Sequence, residues 1–298
     1  MKKLRGILPP IATPFEDGEI APRRLRSNLE KLKGTALSGF LVLGSTGEAP
    51  LLREDEKLKL VEAARAAVSD GSILMVGAGC ESTAETIRFV NRVTGLGADC
   101  ALVITPSFYA SSMTAEVLYN HYLKVAEGAK TKVLIYIVPQ FTGGVVVDSD
   151  TVARLAEHPN IVGLKDSSGH MGRFAEYVKN TPGDFAVFAG DATTLHAALA
   201  LGAAGGILAV ANLLPEACVR MMEIFEAGDL EKARRIQMGM IPIIEAVTKK
   251  YGIPGLKAAM DLRGYYGGDP RSPLLPVNEQ VRARLGQLLQ EAQGALAR

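Results

Sequence analysis

The amino-acid sequence predicts an α/β protein, a closed (β/α)8 TIM barrel with a C-terminal helical extension. Short runs rich in β-branched and apolar residues recur eight times, and a helical pattern follows each run. Strict alternation of eight strands with helices is typical of a closed barrel, and an open doubly wound sheet is the alternative. The 298 residues suffice for one such barrel of about 250 residues with an extension.

Each predicted strand is short and apolar, and glycine, proline, serine or aspartate stands at its borders. In chain order the eight strands are predicted at 6–13, 39–45, 73–79, 98–105, 132–139, 161–168, 185–191 and 203–210.

Helical patterns fill the segments between the strands. A helix is predicted at 54–68, where Leu58, Val61 and Ala64 recur at helical spacing, and another at 82–93, where Ser82 can cap and Glu85 stands three residues on.

From residue 229 onward the pattern is purely helical, with helices predicted at 229–249, from 254 to before 267, and at 278–296. The sequence therefore predicts a barrel domain over 1–228 that carries the active site, and a C-terminal helical domain over 229–298.

Composition and charge exclude several classes of protein. Lys and Arg number 33 against 32 Asp and Glu, so the net charge of +1 provides no broad attraction to nucleic acid or to an anionic membrane. No apolar stretch approaches the roughly 18 residues that a membrane span needs. The basic N-terminus leads into a short, proline-interrupted run, which we interpret as the first strand rather than a signal peptide.

Cysteine and histidine usage predicts neither disulfides nor a metal. Cys80, Cys100 and Cys218 lack the spacing of a disulfide or zinc framework, which favours a cytoplasmic location. The four histidines occur singly, never at metal-ligand spacing, so we expect no metal. We expect no other cofactor either.

Lys165 is the most informative residue. In the run 161–168, period-two alternation puts Gly163, Lys165 and Ser167 on one face, which in a barrel strand is the interior or its C-terminal mouth. Burial destabilises an ammonium group, so this amine could attack a carbonyl and form a Schiff base. Alternatively, Lys165 ends its strand in solvent or pairs with Asp166.

Tyr136 lies near the end of the preceding predicted strand, also on the inward face. Adjacent strands are about 4.8 Å apart, so its phenol could approach Lys165 and transfer protons. The alternative is a core tyrosine whose hydroxyl bonds the backbone.

Two further segments could bind anions. Ser45 and Thr46 follow the second strand in the turn 44–48, where hydroxyl and amide donors suit a carboxylate, although an ordinary βα turn is the alternative. The glycine-rich segment 202–206 could cradle a phosphate, or its glycines permit close packing at the eighth strand.

Ordered motifs along nearly the whole chain resemble one family, that of dihydrodipicolinate synthase and N-acetylneuraminate lyase, the class I pyruvate-type aldolases. The motifs, quoted as they stand, are Pro10-x-x-Thr13-Pro14-Phe15, Gly44-Ser45-Thr46-Gly47-Glu48, Thr105-Pro106, Tyr136-x-x-Pro139, Gly163-x-Lys165-Asp166-Ser167 and Gly206-Ile207.

The resemblance implies catalytic roles for Lys165, Tyr136 and Ser45. Lys165 would form an imine with pyruvate or another 2-oxo acid, and Tyr136 would transfer protons. The substrate-binding residues that it implies are Ser45, Thr46, Ser167, Gly190 and Ile207.

Segments at 79–83, 209–212 and 251–268 look most like 4-hydroxy-2-oxoglutarate aldolases, which predicts cleavage to pyruvate and glyoxylate. The family's synthases usually carry an arginine for aspartate semialdehyde where this chain has Phe141. Dihydrodipicolinate synthase is therefore an alternative, as are a 2-keto-3-deoxy sugar acid aldolase or dehydratase and a catalytically weak 2-oxo-acid binding protein.

One departure concerns the proton relay. The family usually places a tyrosine, contributed across a subunit interface, where this chain has Phe108 followed by Tyr109. The resemblance also implies a homotetramer or homodimer built around this loop.

Overall fold

The computed structural model describes residues 2–296, and its centre is a barrel of eight parallel strands. The first residue of the predicted barrel domain and the last two of the predicted C-terminal domain lie outside the described residues. The strands are β1 (Gly6–Leu8), β2 (Gly39–Val42), β3 (Ile73–Gly77), β4 (Cys100–Ile104), β5 (Lys132–Ile137), β6 (Ile161–Asp166), β7 (Ala186–Ala189) and β8 (Gly205–Ile207). The predicted fold is confirmed.

From β2 to β8 each strand pairs in parallel with its neighbours in chain order, and β8 pairs in parallel with β1. Between β1 and β2 the ring closes through main-chain hydrogen bonds beyond the end of β1. Leu41 N donates to Pro9 O (3.0 Å) and Ile11 N to Leu41 O (2.8 Å). The sheet is therefore a closed barrel and not the open alternative.

All eight strands are shorter than predicted, mainly at their carboxyl ends. In β1 the reason is direct, because Pro9 and Pro10 have no N–H to donate to a ladder. In β2 the chain turns at Leu43, whose φ is 58°. These chain ends bend away from the ladder at the rim where the candidate site residues lie.

Two separate cores stabilise the barrel. Inward side chains of the strands, among them Leu41, Met75, Leu134, Phe188 and Ile207, fill the interior. A larger layer lies between the outer face of the sheet and the helices. This is the two-layer burial expected of the fold, with a packed interior rather than a pore.

Helices cover the outside of the barrel. They are α1 (Pro22–Leu32), α2 (Glu54–Ala67), α3 (Thr83–Gly95), α4 (Ala115–Gly128), α5 (Ser149–Ala156), α6 (Met171–Asn180), α7 (Leu195–Ala200) and α8 (Pro215–Glu226). Ser82 caps α3 as predicted, since its hydroxyl accepts a hydrogen bond from Glu85 N. A small antiparallel hairpin, Phe15–Glu16 with Glu19–Ile20, precedes α1 and was not predicted.

The C-terminal segment is helical, as predicted. It comprises α9 (Leu230–Glu245), α10 (Gly252–Leu262) and α11 (Glu279–Leu296). A turn of π-helix, Ala246–Lys250, follows α9. Helix α9 packs on α7, α8 and α11, so this segment lies directly against the barrel helices. Within residues 2–296, the structure contains no helix with both the length and the apolar character to cross a bilayer.

Candidate active site

Lys165 lies inside the barrel near the carboxyl end of β6. Its side chain is only 5% exposed, and its Cα is in register with Tyr136 on β5 and Phe188 on β7. Within residues 2–296, no carboxylate oxygen lies within 4 Å of its Nζ. Lys165 therefore neither extends into solvent nor pairs with Asp166.

Asp166 points to the opposite face of the same strand. Its Oδ1 accepts a hydrogen bond from Ser168 N at 2.8 Å, and burial raises the pKa of its carboxyl group. Alternation along β6 thus separates this acid from the amine beside it.

Gly190, in the loop after β7, leaves space for the lysine side chain. A Cβ at this position would collide with Ser167 Oγ and would lie 2.9 Å from Lys165 Cε and 3.0 Å from Asp166 O. Ser167 and Gly190, two of the predicted substrate-binding residues, are therefore immediate neighbours of Lys165.

Tyr136 connects Lys165 to the turn after β2. Lys165 Nζ lies 4.3 Å from the centre of the Tyr136 ring, and Tyr136 Oη lies 3.5 Å from Ser45 Oγ. Tyr136 is not a core tyrosine with its hydroxyl on the backbone, as Tyr122 and Tyr177 are. The structure thus brings the three predicted catalytic residues into one cluster.

Ser45 and Thr46 stand in a single turn of 3₁₀-helix, Ser45–Gly47, and both are half-buried. Non-glycine residues with positive φ flank it, Leu43 at 58° and Glu48 at 56°. Such conformations are uncommon and persist where surrounding contacts enforce them. The turn is therefore held in shape by its surroundings.

Ile207 is fully buried in the barrel interior, in the same cluster of side chains as Tyr136. In the segment 202–206, a Cβ on Gly205 would collide with Gly6 O of β1. The structure therefore supports the packing alternative for this glycine and not the phosphate cradle.

A cavity of about 660 Å³ opens beside Ser45 and Tyr136. Lys165 is not among its lining residues, although it contacts the Tyr136 ring. The wall is largely apolar, with Leu51, Phe89 and Phe141. Four glutamates and one lysine add charge, namely Glu48, Glu54, Glu81, Glu85 and Lys57. Cys80 also lines it, and burial raises the pKa of this thiol.

Phe108 and Tyr109 do not reach the site within one chain. They are 78% and 68% exposed, and their rings pack edge to face with centroids 5.0 Å apart. The loop that carries them is held by Glu81, whose carboxylate accepts hydrogen bonds from Ser107 N and Phe108 N, both at 2.9 Å.

The sequence reasoning missed a second buried lysine beside the site. Lys257 on α10 is fully buried, and its Nζ lies 2.9 Å from Glu48 Oε1 in the turn after β2. Burial lowers the pKa of Lys257, and the Glu48 carboxylate opposes that change. The apolar run around Lys257 was the available signal, but its partner is 209 residues away.

Comparison with known proteins gives concordant matches. The model of the dihydrodipicolinate synthetase family matches residues 3–292. The 4-hydroxy-tetrahydrodipicolinate synthase of Methanothrix thermoacetophila is 36% identical over 289 residues, 96% of each chain. That of Thermotoga neapolitana is 34% identical over 293 residues, covering 97% of this chain and 98% of the relative.

The structural comparison agrees. The crystal structure of dihydrodipicolinate synthase from Thermotoga maritima superposes with a TM-score of 0.92 at 31% identity, covering 99% of this chain and 100% of the other. None of these relatives is a 4-hydroxy-2-oxoglutarate aldolase, so that finer prediction gains no support. The chain belongs to the dihydrodipicolinate synthetase family.

Proposed function

We propose that this carbon–carbon lyase of the class I aldolase type binds pyruvate as an imine on Lys165 and joins it to, or releases it from, an aldehyde. One observation carries the proposal. Among the residues that the structure describes, Lys165 has no carboxylate partner, and it lies in the barrel interior against Tyr136, whose hydroxyl is 3.5 Å from Ser45 Oγ. An amine in such surroundings is the type of nucleophile that condenses with ketones.

In the proposed reaction the Lys165 amine attacks the keto carbon of pyruvate, and loss of water gives an imine. Removal of a methyl proton gives an enamine, whose terminal carbon bonds to the aldehyde carbon while the aldehyde oxygen takes a proton. Hydrolysis of the imine frees the lysine, and cleavage is the reverse. Because the protonated imine accepts the electron pair, we propose that no metal or organic cofactor is required.

Tyr136 would move the protons, since its hydroxyl lies 3.5 Å from Ser45 Oγ and its Cα is in register with that of Lys165 on the neighbouring strand. Ser45 and Thr46 would hold the carboxylate through hydroxyl and amide donors of their turn. Ser167, Gly190 and Ile207 would shape the space around the imine.

Aspartate semialdehyde is the first candidate for the aldehyde, because the relatives above are named 4-hydroxy-tetrahydrodipicolinate synthases. Glyoxylate, the partner in 4-hydroxy-2-oxoglutarate cleavage, is the second. Phe141 favours glyoxylate over aspartate semialdehyde. Its ring is 62% exposed and lines the cavity at the position where the family's synthases usually carry an arginine.

Borohydride trapping tests the imine. Incubation with pyruvate and borohydride should add one reduced pyruvate to the chain, and peptide mass spectrometry should place it on Lys165. Lys165→Ala should trap none and turn over no substrate, with Lys179→Ala, on α6, as the control that behaves as wild type. Pyruvate found on another lysine would overturn the assignment.

A panel of aldehydes identifies the acceptor. Pyruvate consumption is measured with aspartate semialdehyde, glyoxylate and the aldehydes of 2-keto-3-deoxy sugar acids, in wild type and in Phe141→Arg. A synthase consumes pyruvate with aspartate semialdehyde, and the arginine variant should improve that reaction. Trapping without turnover on any aldehyde would indicate the 2-oxo-acid binding protein.

We also propose that copies of the chain associate around the Phe108–Tyr109 loop, as a homodimer or homotetramer. An exposed aromatic pair on a loop fixed by Glu81 is the kind of surface that interfaces bury. Light scattering should give two or four chain masses, and Phe108→Asp should lower that number. A wild-type mass of one chain would refute the association.

A further inference from the structure

The ion pair between Glu48 and Lys257 joins the C-terminal segment to the turn that carries Ser45 and Thr46. Both side chains are fully buried, and Lys257 Nζ lies 2.9 Å from Glu48 Oε1. Glu48 ends the turn in a left-handed conformation, and its N–H donates to Ser45 O at 3.0 Å. The ion pair is thus formed by the residue that ends the turn carrying Ser45 and Thr46.

Lys257 also reaches the turn by a second route. Its Nζ donates to Thr13 O at 2.9 Å, and the Thr13 hydroxyl donates to Gly47 O at 2.6 Å. The other oxygen of Glu48 is occupied as well, because Glu48 Oε2 accepts a hydrogen bond from Arg271 N at 2.8 Å. The last two residues of the turn, Gly47 and Glu48, are therefore both held by hydrogen bonds from segments distant in the chain.

Apolar and cationic surroundings enclose the pair. Both Lys257 and Arg271 contact the Phe15 ring, with Lys257 Nζ 4.5 Å and Arg271 Cζ 4.6 Å from the ring centre. A buried ion pair adds little net stability, whereas removal of one partner leaves an uncompensated charge. The presence of the pair is therefore better explained by geometry than by stability, since its hydrogen bonds fix the position of the turn.

We propose that Glu48 and Lys257 are positioning residues, through which the C-terminal segment holds the Ser45–Thr46 turn in the conformation that binds the substrate carboxylate. The inference rests on the proposed function, because it assumes that this turn binds pyruvate. The polar atoms of the pair bond each other, Thr13 O and Arg271 N rather than Lys165 or Tyr136, so their effect is expected on pyruvate affinity more than on the chemical step.

The test measures imine trapping as a function of pyruvate concentration in wild type, Lys257→Met and the double variant Glu48→Gln with Lys257→Met. In both variants the pyruvate concentration for half-maximal trapping should rise about tenfold or more, while trapping at saturation stays within about threefold of wild type. The double variant lacks both charges of the pair, whereas Lys257→Met leaves the Glu48 carboxylate buried without its partner. The Tm of the double variant should therefore exceed that of Lys257→Met.

Asp99→Asn is the matched control. Asp99 accepts hydrogen bonds from Lys2, Arg65 and Leu74 N at the opposite end of the barrel. This variant should lower Tm and leave the half-maximal pyruvate concentration unchanged.

The outcomes separate the two proposals. Wild-type half-saturation in the folded double variant, or in Lys257→Met where that folds, overturns the positioning role and leaves the proposed function intact. Failure of the wild-type chain to trap pyruvate overturns the proposed function, and the positioning role with it.

Discussion

At the scale of single residues, the site requires a residue without a side chain at Gly190 as much as it requires the polar groups around it. Gly190→Ala puts a methyl group 2.9 Å from Lys165 Cε and against Ser167 Oγ. Because Asp166 O, a backbone atom, blocks the third side, Lys165 must move. We expect at least a tenfold loss of pyruvate trapping. Gly183→Ala, where a Cβ would meet nothing within 4 Å, is the control, and equal trapping in both variants would contradict the packing argument.

Tyr136→Phe removes a hydroxyl group and keeps the ring that contacts Lys165. If the hydroxyl transfers protons, turnover should fall about 10²–10⁴-fold while Lys165 can still be trapped with pyruvate. Steady-state rates and trapping by mass spectrometry measure the two effects separately. Tyr122→Phe is the control, because it removes a buried hydroxyl that bonds Val103 O and should lower only stability. Undiminished turnover in Tyr136→Phe would exclude the tyrosine from the relay.

The candidate site could be predicted from sequence only where the determining pattern is local. Alternation along one strand was enough to face Lys165 inward, and the neighbouring strand placed Tyr136 beside it. Glu48 and Lys257 show the limit, because their contact depends on how α10 docks against the turn after β2, 209 residues away in the chain. Likewise, that Gly190 borders Lys165 follows from the register of β6 with β7, which a single sequence does not reveal.

At the scale of elements, the strands and helices were predictable because their periodicity is local, but their ends depend on individual caps. Asp148 caps α5 with both oxygens, accepting from Thr151 N at 2.8 Å and Thr151 Oγ1 at 2.9 Å. Ser82 caps α3 through one longer bond, 3.4 Å from Glu85 N.

This difference predicts unequal costs of removing the two caps. Asp148→Ala should lower the free energy of unfolding by about 1 kcal/mol or somewhat more, and Ser82→Ala by less. Chemical denaturation of both variants measures the difference, with pyruvate trapping as the check that the site is intact. A larger cost for Ser82→Ala would show that the cap geometry does not set these helix ends.

At the scale of the whole molecule, the loop after α10 fastens the C-terminal segment to the barrel. Arg271 in this loop donates from both terminal nitrogens to Glu56 on α2, at 2.7 Å each, and also reaches Leu51 O and Gly18 O. The carboxylate of Glu56 is buried, with 1% of its side chain exposed. Hydrogen bonds from Arg271 lower the pKa of Glu56 from 4.5 to about 2.

A lowered folded-state pKa makes this contact a source of acid sensitivity. The stabilisation is fully present above the unfolded-state pKa of about 4.5 and is lost as pH falls through that value toward about 2. Because one pKa unit corresponds to about 1.4 kcal/mol, the contribution at neutral pH is at most about 3–4 kcal/mol. Glu56→Gln keeps a side-chain acceptor for Arg53 N at the start of α2. It removes the charge and also replaces the oxygen that accepts from Arg271 Nη2 with an amide N–H donor.

The Tm of Glu56→Gln should therefore lie several degrees below that of wild type at pH 6, and the difference should shrink steadily between pH 4.5 and pH 2.5. Calorimetry or circular dichroism at a series of pH values measures this convergence. Glu231→Gln is the control, since Glu231 pairs with Arg234 on an exposed face of α9 and its removal should change Tm little at any pH. A Tm difference for Glu56→Gln that stays constant down to pH 2.5 would mean that the Arg271 contact acts by shape alone, because a charge-dependent link must fade as the carboxylate takes up its proton.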